Sequence, residues 1–358
     1  MSQPIHLSVS RALDERRHRL ATLITETHFQ AHPELDARYG PIGRVRCHED
    51  AGFHLSYLSE AIANNIPALF ADYVAWAKVM LAGRGVPEKD LNENLQVMRR
   101  VIAAELPEEM SDTAAAFIDA GIAGLPDVPQ EPPTHIIAEN TLTPLANSYL
   151  EALLRGERHL ASRMILDAVA AGTSVRNIYL EVFQQSQREI GRLWQLNRIT
   201  VAQEHYCTAA TQLIMSQLYP HIFSTAKNGR TMVAACIGGD LHEIGVRMIS
   251  DFFEMDGWDT FYLGANNPIP GIVGTVIERR ADLLAISATI TVHVRGVAEL
   301  ITAVRKNPAC AHVKIIVGGY PFNAAPDLWQ QIGADGCARS ADEAIALAGS
   351  LFAGGGER

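Results

Sequence analysis

Asp240-Leu241-His242-Glu243-Ile244-Gly245 decides how the rest of this chain is read. Ahead of it, Thr231 to Ile237 (TMVAACI) is a short apolar run with the composition of a buried strand. Gly238-Gly239 makes a turn, and Val246 to Met255 has helical spacing. Strand, turn and helix put His242 at the carboxyl end of a first strand, the edge where open α/β sheets bind ligands. An Asp two residues before a His can accept a hydrogen bond from one ring nitrogen. The other nitrogen is then free, neutral and more basic, as a metal ligand must be. Gly245 lets a bulky group approach the backbone. The same residues also suit a capped helix start with a solvated His, so the pattern needs company.

The company lies downstream. From Arg230 onward, strand and helix patterns alternate, with strands near 230–237, 259–264, 282–288, 313–317 and 335–338. Continuous apolar runs such as Leu283-Leu284-Ala285-Ile286 and Ile315-Ile316-Val317 suit a parallel sheet buried on both faces. The expectation is a flavodoxin-like, doubly wound domain with strand order 2-1-3-4-5. Ser287-Ala288-Thr289 closes the third strand and Gly318-Gly319 the fourth.

With Asp240-x-His242-x-x-Gly245, this order and spacing resemble the cobalamin-binding domain of methionine synthase, the corrinoid-dependent mutases and cobalamin photoreceptors. The resemblance implies that His242 replaces dimethylbenzimidazole as the lower cobalt ligand. It also implies that Ser287, Thr289, Gly318 and Gly319 line the slot for the displaced nucleotide tail.

Upstream, Leu142 to Ser224 reads as four helices, roughly 140–155, 157–171, 174–196 and 200–224. Gly156 and Gly172 separate the first three, and Thr200 with Gln203 forms a capping box for the last. Trp194 is followed by Glu204-His205 at the end of a nine-residue spacer. Read alone, Trp194 is core and the other two face water. The run resembles the Trp-x9-Glu-His signature of the CarH-type light-sensing repressors, in which these residues border the adenosyl group of adenosylcobalamin. A wide indole suits a nonpolar corrin face, and a carboxylate suits ribose hydroxyls. This likeness covers about residues 140–355. Two departures stand out. Gln195 follows the Trp where those repressors have a His, and no winged-helix DNA reader precedes the cap.

Residues from about 8 to 124 read instead as an all-α domain: Val9 to Thr27, a loop at Pro33 to Gly43, Phe53 to Ile66, Ala68 to Ala82, Leu91 to Leu106 and Ser111 to Ile122. Pro67 starts one helix and Gly83-Arg84-Gly85 stops it. Pro126, Pro129, Pro132 and Pro133 mark a semi-rigid linker. The expected organisation is an all-α domain at 1–125, a linker at 126–137, a helical-bundle cap at 138–226 and a cobalamin-binding α/β domain at 227–358. That order is similar to the photocobilins, in which a helical domain holds a bilin such as biliverdin. On that resemblance His48, His54 and Tyr57 are assigned to ring contacts, Arg46 to a propionate and Cys47 to a covalent link. Tyr73, Trp76 and Arg44 lie nearby in the pattern. An ordinary core, its Tyr and His bonded to backbone, fits the same residues.

Composition narrows the classes. The 358 residues carry a net charge of −10, and no basic nucleic-acid footprint exists beyond Arg16-Arg17-His18-Arg19, which suits a solvated helix face. No run of 18 apolar residues spans a membrane, and no secretory signal opens the chain, so a cytoplasmic protein is expected. The five cysteines are scattered, with no Cys-x-x-Cys, against a disulfide framework or a zinc site. No nucleophile or base has a convincing partner, so the chain is read as no enzyme. The resemblance makes it a light sensor binding adenosylcobalamin and biliverdin, two small-molecule tetrapyrroles, and signalling through photolysis of the cobalt–carbon bond and cap movement. Its downstream signalling protein is unspecified and a homo-oligomer is allowed for. The alternative is a corrinoid methyl-carrier protein of a methyltransferase system.

Overall fold

The computed structural model describes residues 4–137 and 140–353. It divides into two compact units, residues 1–130 with 324–328, and residues 131–323 with 329–358.

The first unit is helical: α1 (Ile5–Ala31), α2 (Glu34–Ala63), α3 (Pro67–Ala82), α4 (Glu88–Glu105) and α5 (Glu108–Gly124). Pro67 occupies the first turn of α3, where its missing N–H costs nothing. The stretch expected as a loop at 33–43 is instead helical. Gly40, at φ 62°, and Pro41 kink α2 without ending it, because a positive-φ glycine lets the chain turn and restart. The bundle core is aliphatic and aromatic, with Leu13, Leu20, Ile24, Leu55, Leu58 and Phe70 fully buried. At its end the buried Lys78 ammonium donates to the carbonyls of Leu125 (2.6 Å) and Val128 (2.9 Å).

The second unit opens at Glu131, within the Pro-rich segment, and the residues from there to Ile137 are bonded rather than free. Glu189 accepts from the Thr134 hydroxyl and the His135 amide, Glu131 pairs with Arg192 and Arg198, and Ile136 is buried. The expected 137/138 boundary falls at residues 138–139, outside the described residues. The cap follows: α6 (Thr143–Leu154), α7 (Arg158–Ala170), then one long rod made of α8 (Val175–Asn177), a π-helical stretch (Ile178–Phe183) and α9 (Gln184–Gln195), then α10 (Val201–Gln217) and the short α11 (Tyr219–Ile222). Gly156 and Gly172, at φ 78° and 98°, end α6 and α7 in the left-handed conformation glycine favours. The Thr200–Gln203 capping box is present at α10.

The α/β part contains β1 (Thr231–Ile237), α12 (Ile244–Met255), β2 (Asp259–Asn267), α13 (Ile269–Glu278), β3 (Leu283–Ser287), α14 (Val294–Lys306), β4 (Lys314–Gly318), the short α15 (Tyr320–Ala324) and α16 (Leu328–Gln331), β5 (Gly336–Cys337) and α17 (Ala341–Phe352). The sheet is parallel, in the order β2-β1-β3-β4-β5. β1, β3 and β4 are buried along nearly their whole length, as strands covered on both faces must be. This is the doubly wound, flavodoxin-like fold expected from the apolar runs. The order reverses between β1 and β3, so the carboxyl ends of those strands form its ligand crevice.

Candidate cobalamin site

Asp240 and His242 of the leading motif sit at that crevice. The chain leaves β1 at Ile237, turns through Gly239 at φ 88° and buries the Asp240 side chain completely. Asp240 Oδ1 accepts from the His242 amide (3.0 Å) and from His242 Nδ1 (2.8 Å), and Oδ2 accepts from the Thr289 amide (2.5 Å). Burial alone would raise this carboxyl. The donors from His242 and Thr289, with the His293 ring close by, overcome it and hold Asp240 below the usual carboxylate range. The hydrogen bond from His242 to ionised Asp240 raises the His above its ordinary value, against a smaller desolvation effect. The His242 side chain stays 55% exposed. With Nδ1 donating to Asp240, Nε2 presents its lone pair outward, the arrangement that suits a metal-ligating imidazole.

The carboxyl ends of β3 and β4, expected to line a tail slot, approach each other closely. Ser287 pairs in register with Gly318 across β3 and β4. Gly319 has φ 112°, and a Cβ there would lie 2.0 Å from the Ala288 carbonyl oxygen. A Cβ on Gly318 would lie 3.0 Å from the Ala338 carbonyl oxygen. Behind them Val246, Ile249, Ala285, Ile316, Gly318 and Ala338 line a narrow apolar crevice. Only glycine permits such backbone approach. Thr289 contributes its backbone N–H to Asp240 Oδ2. Gly245 has open space where a Cβ would stand.

On the cap, Glu204 lies in the first turn of α10, accepts from the Thr208 hydroxyl (3.0 Å) and is close enough to raise His242 electrostatically. His205 is 74% exposed beside it. Trp194 packs partly buried on the cap core, whereas Gln195 is buried.

Several participants are absent from the sequence reading. Glu243 and Arg247 contact the cap, and Asn266 receives the Gly239 amide on its side chain (2.8 Å). His293 Nδ1 stands 3.7 Å from Asp240 Oδ2, with no hydrogen-bond partner among the described residues.

Of the residues assigned to a bilin, His54 and Tyr57 meet on Tyr73, whereas His48 and Arg46 lie elsewhere. His54 is buried and its Nδ1 shares a hydrogen bond with the Tyr73 hydroxyl (2.8 Å). Burial lowers this His to about 4. Tyr57 stacks on Tyr73 with ring centroids 3.7 Å apart, and Trp76 stacks beyond it. His48 instead faces α1, against Thr22 and His18. Arg46 points to solvent and pairs with Glu49, and Arg44 pairs with Asp36, because nearer carboxylates claim both guanidiniums. Burial pushes the Cys47 thiol up to about 11, away from the thiolate a covalent attachment needs.

Comparison with known proteins agrees with the geometry of the second unit. Residues 145–219 and 230–348 each match a B12 binding domain family. The chain is 32% identical over 146 residues to dimethylamine corrinoid protein 2 of Methanosarcina mazei, an alignment covering 40% of this chain and 66% of that protein. It is 24% identical over 213 residues to a corrinoid protein of Desulfitobacterium hafniense, covering 58% of this chain and 97% of that one. The fold matches the monomethylamine corrinoid protein of Methanosarcina barkeri with a TM-score of 0.53 at 21% identity, over 59% of this chain and all of that one. The chain spans 66% of the length of the first of these relatives, just short of two thirds. It carries a cobalamin-binding module, made of a helical part and an α/β part, and its cofactor is a corrinoid.

Proposed function

We propose that the chain is a corrinoid carrier of a methyltransferase system. His242 would hold cobalt from below, and the crevice beside Ser287, Gly318 and Gly319 would take the nucleotide tail. The observation that carries this reading is the His242–Asp240 pair, with one ring nitrogen engaged at 2.8 Å and the ring half exposed. Likeness to methylamine corrinoid proteins favours methyl transfer as the use. Cobalt, once bound, supplies a centre that accepts and releases a methyl group. The chain's own work is to bind, orient and shield it, while a separate methyltransferase would catalyse each transfer.

A light-sensing reading with adenosylcobalamin is retained on one observation. Glu204 of the Trp194-x9-Glu204-His205 run is held by Thr208 and acts on His242 from the cap, so a carboxylate is available for an adenosyl ribose. Under that reading the first unit would bind biliverdin, and a signalling protein would follow. Purification of the full chain in darkness, with the upper ligand identified by mass, separates the two. A carrier yields methyl- or hydroxocobalamin and no red-absorbing complex on adding biliverdin. Retained adenosylcobalamin, lost selectively in Glu204→Gln, together with a saturable red band, would reverse the order of the two readings.

A further inference from the structure

Glu243 directly follows His242, yet its side chain leaves the cofactor crevice. Oε1 accepts from Gln212 Nε2 of the cap helix α10 (2.9 Å). Oε2 accepts from the Tyr262 hydroxyl (2.8 Å) and the Ala265 amide (3.0 Å). The receptacle is built into β2. The register with β1 slips between the partners of Ala234 and Ala235, and Gly264 takes φ 79° there. A Cβ on Gly264 would stand 2.9 Å from Glu243 Oε2. The irregularity therefore makes room for the carboxylate and turns one amide toward it, as bulges do near functional sites. One turn further along α12, Arg247 donates to the Gln212 carbonyl (3.1 Å), the Ser216 hydroxyl (2.7 Å) and the Tyr219 hydroxyl (3.1 Å). Gln212 is thus gripped at its side chain by Glu243 and at its backbone by Arg247.

We infer that Glu243 is a positioning residue that ties the seating of the cap to the placement of His242. This rests on His242 being the cobalt ligand. With α10 seated, Gln212 completes the hydrogen bonds of Glu243 and fixes the 240–243 turn. When α10 lifts, Glu243 loses its cap donor while Tyr262 and Ala265 remain, and the turn gains freedom one residue from the ligand. A ligand that favours one cap position acts on the lower side only through such a differential contact. By reciprocity, engagement of His242 favours the seated cap by the same factor.

The test uses full-length protein labelled with 15N-histidine, loaded with hydroxocobalamin and reduced to cob(II)alamin. Electron paramagnetic resonance then reads the axial nitrogen: a 15N doublet reports His242 and a 14N triplet reports the cofactor's own base. Gln212→Met keeps helix propensity and bulk but removes the donor, and Gln212→Lys restores one. Loss of one hydrogen bond at its ordinary net worth predicts a fall of roughly three- to tenfold in the ratio of His-bound to unbound cobalt in Gln212→Met, with recovery in Gln212→Lys. Equal ratios in wild type and Gln212→Met would overturn the coupling. An unchanged 15N doublet in His242→Ala would instead overturn the ligand assignment beneath it, so the two failures are distinguishable.

Discussion

At the scale of single residues, the site depends on a buried carboxylate and on two kinds of glycine. Asp240 orients His242 and fixes its tautomer. Asp240→Asn keeps the shape but weakens the acceptor, and outer-shell losses of this kind lower metal affinity by roughly 10–100-fold. A hydroxocobalamin titration of the variant checks this. Gly319 is structural in the strict sense, with positive φ and Ala288 in the space of a side chain. Gly319→Ala should cost at least about 1–3 kcal/mol in the melting of the cofactor-free protein, the usual cost of an enforced left-handed residue. Gly245 is the contrast, since nothing lies within 4 Å of a Cβ there. Gly245→Ala should leave that melting temperature equal or slightly raised, as a compatible Gly→Ala change in a helix does, and yet weaken corrinoid binding. Equal binding by the alanine protein would remove the idea that a bulky group approaches this backbone. The Asp240–His242 pair was legible because two residues apart on one turn leaves few geometries. Glu243 stood in the same hexapeptide and was passed over, because its meaning depends on Gln212, 31 residues away. His293 was missed for the same reason, as its proximity to Asp240 is made by the sheet.

At the scale of elements, strands and helices of the α/β part were legible from apolar runs and glycine punctuation, since burial on both faces writes itself into composition. Irregularities were not. The π-helical stretch 178–183 and the slip at Gly264 carry no local mark of the kind that Gly40-Pro41 gives the kink within α2. The π stretch carries Tyr179, whose hydroxyl donates to buried Asp251 on α12 at 2.8 Å. Burial raises Asp251 to about 6, against the hydrogen bond from Tyr179 and the charge of Arg247. Unfolded, the carboxyl titrates near ~3.9. The folded chain therefore holds its proton more tightly, and stability declines as pH rises from about 4 to about 6, then levels. Asp251→Asn keeps an acceptor for Tyr179 and removes this decline. It should melt with the native protein near pH ~4 and exceed it by about 1–3 kcal/mol near pH ~7.5. A variant less stable than wild type at the higher pH would show that ionised Asp251 is compensated by Arg247 instead.

At the scale of the whole molecule, the cobalamin-binding module was readable because its motifs lie at fixed places on one sheet edge. The helical first unit was not readable to the same depth. Helical periodicity specifies which residues face a core, and His54, Tyr57 and Tyr73 satisfy that core among themselves, so their types say little about a ligand. Arg46 suits a propionate in the sequence only because the position of Glu49 is not written there. The net charge of −10 sets the chain against polyanionic partners, and no described helix is long and apolar enough to cross a membrane. The central claim, cobalt held by His242, is tested most directly by titrating cofactor-free wild type and His242→Ala with hydroxocobalamin and following the absorption spectrum. The account predicts a saturable complex in wild type whose corrin bands differ from those of free cobalamin. In His242→Ala it predicts binding weakened by about tenfold or more, with any bound cofactor keeping the spectrum of its own base. The same spectrum and the same affinity in both proteins would contradict it.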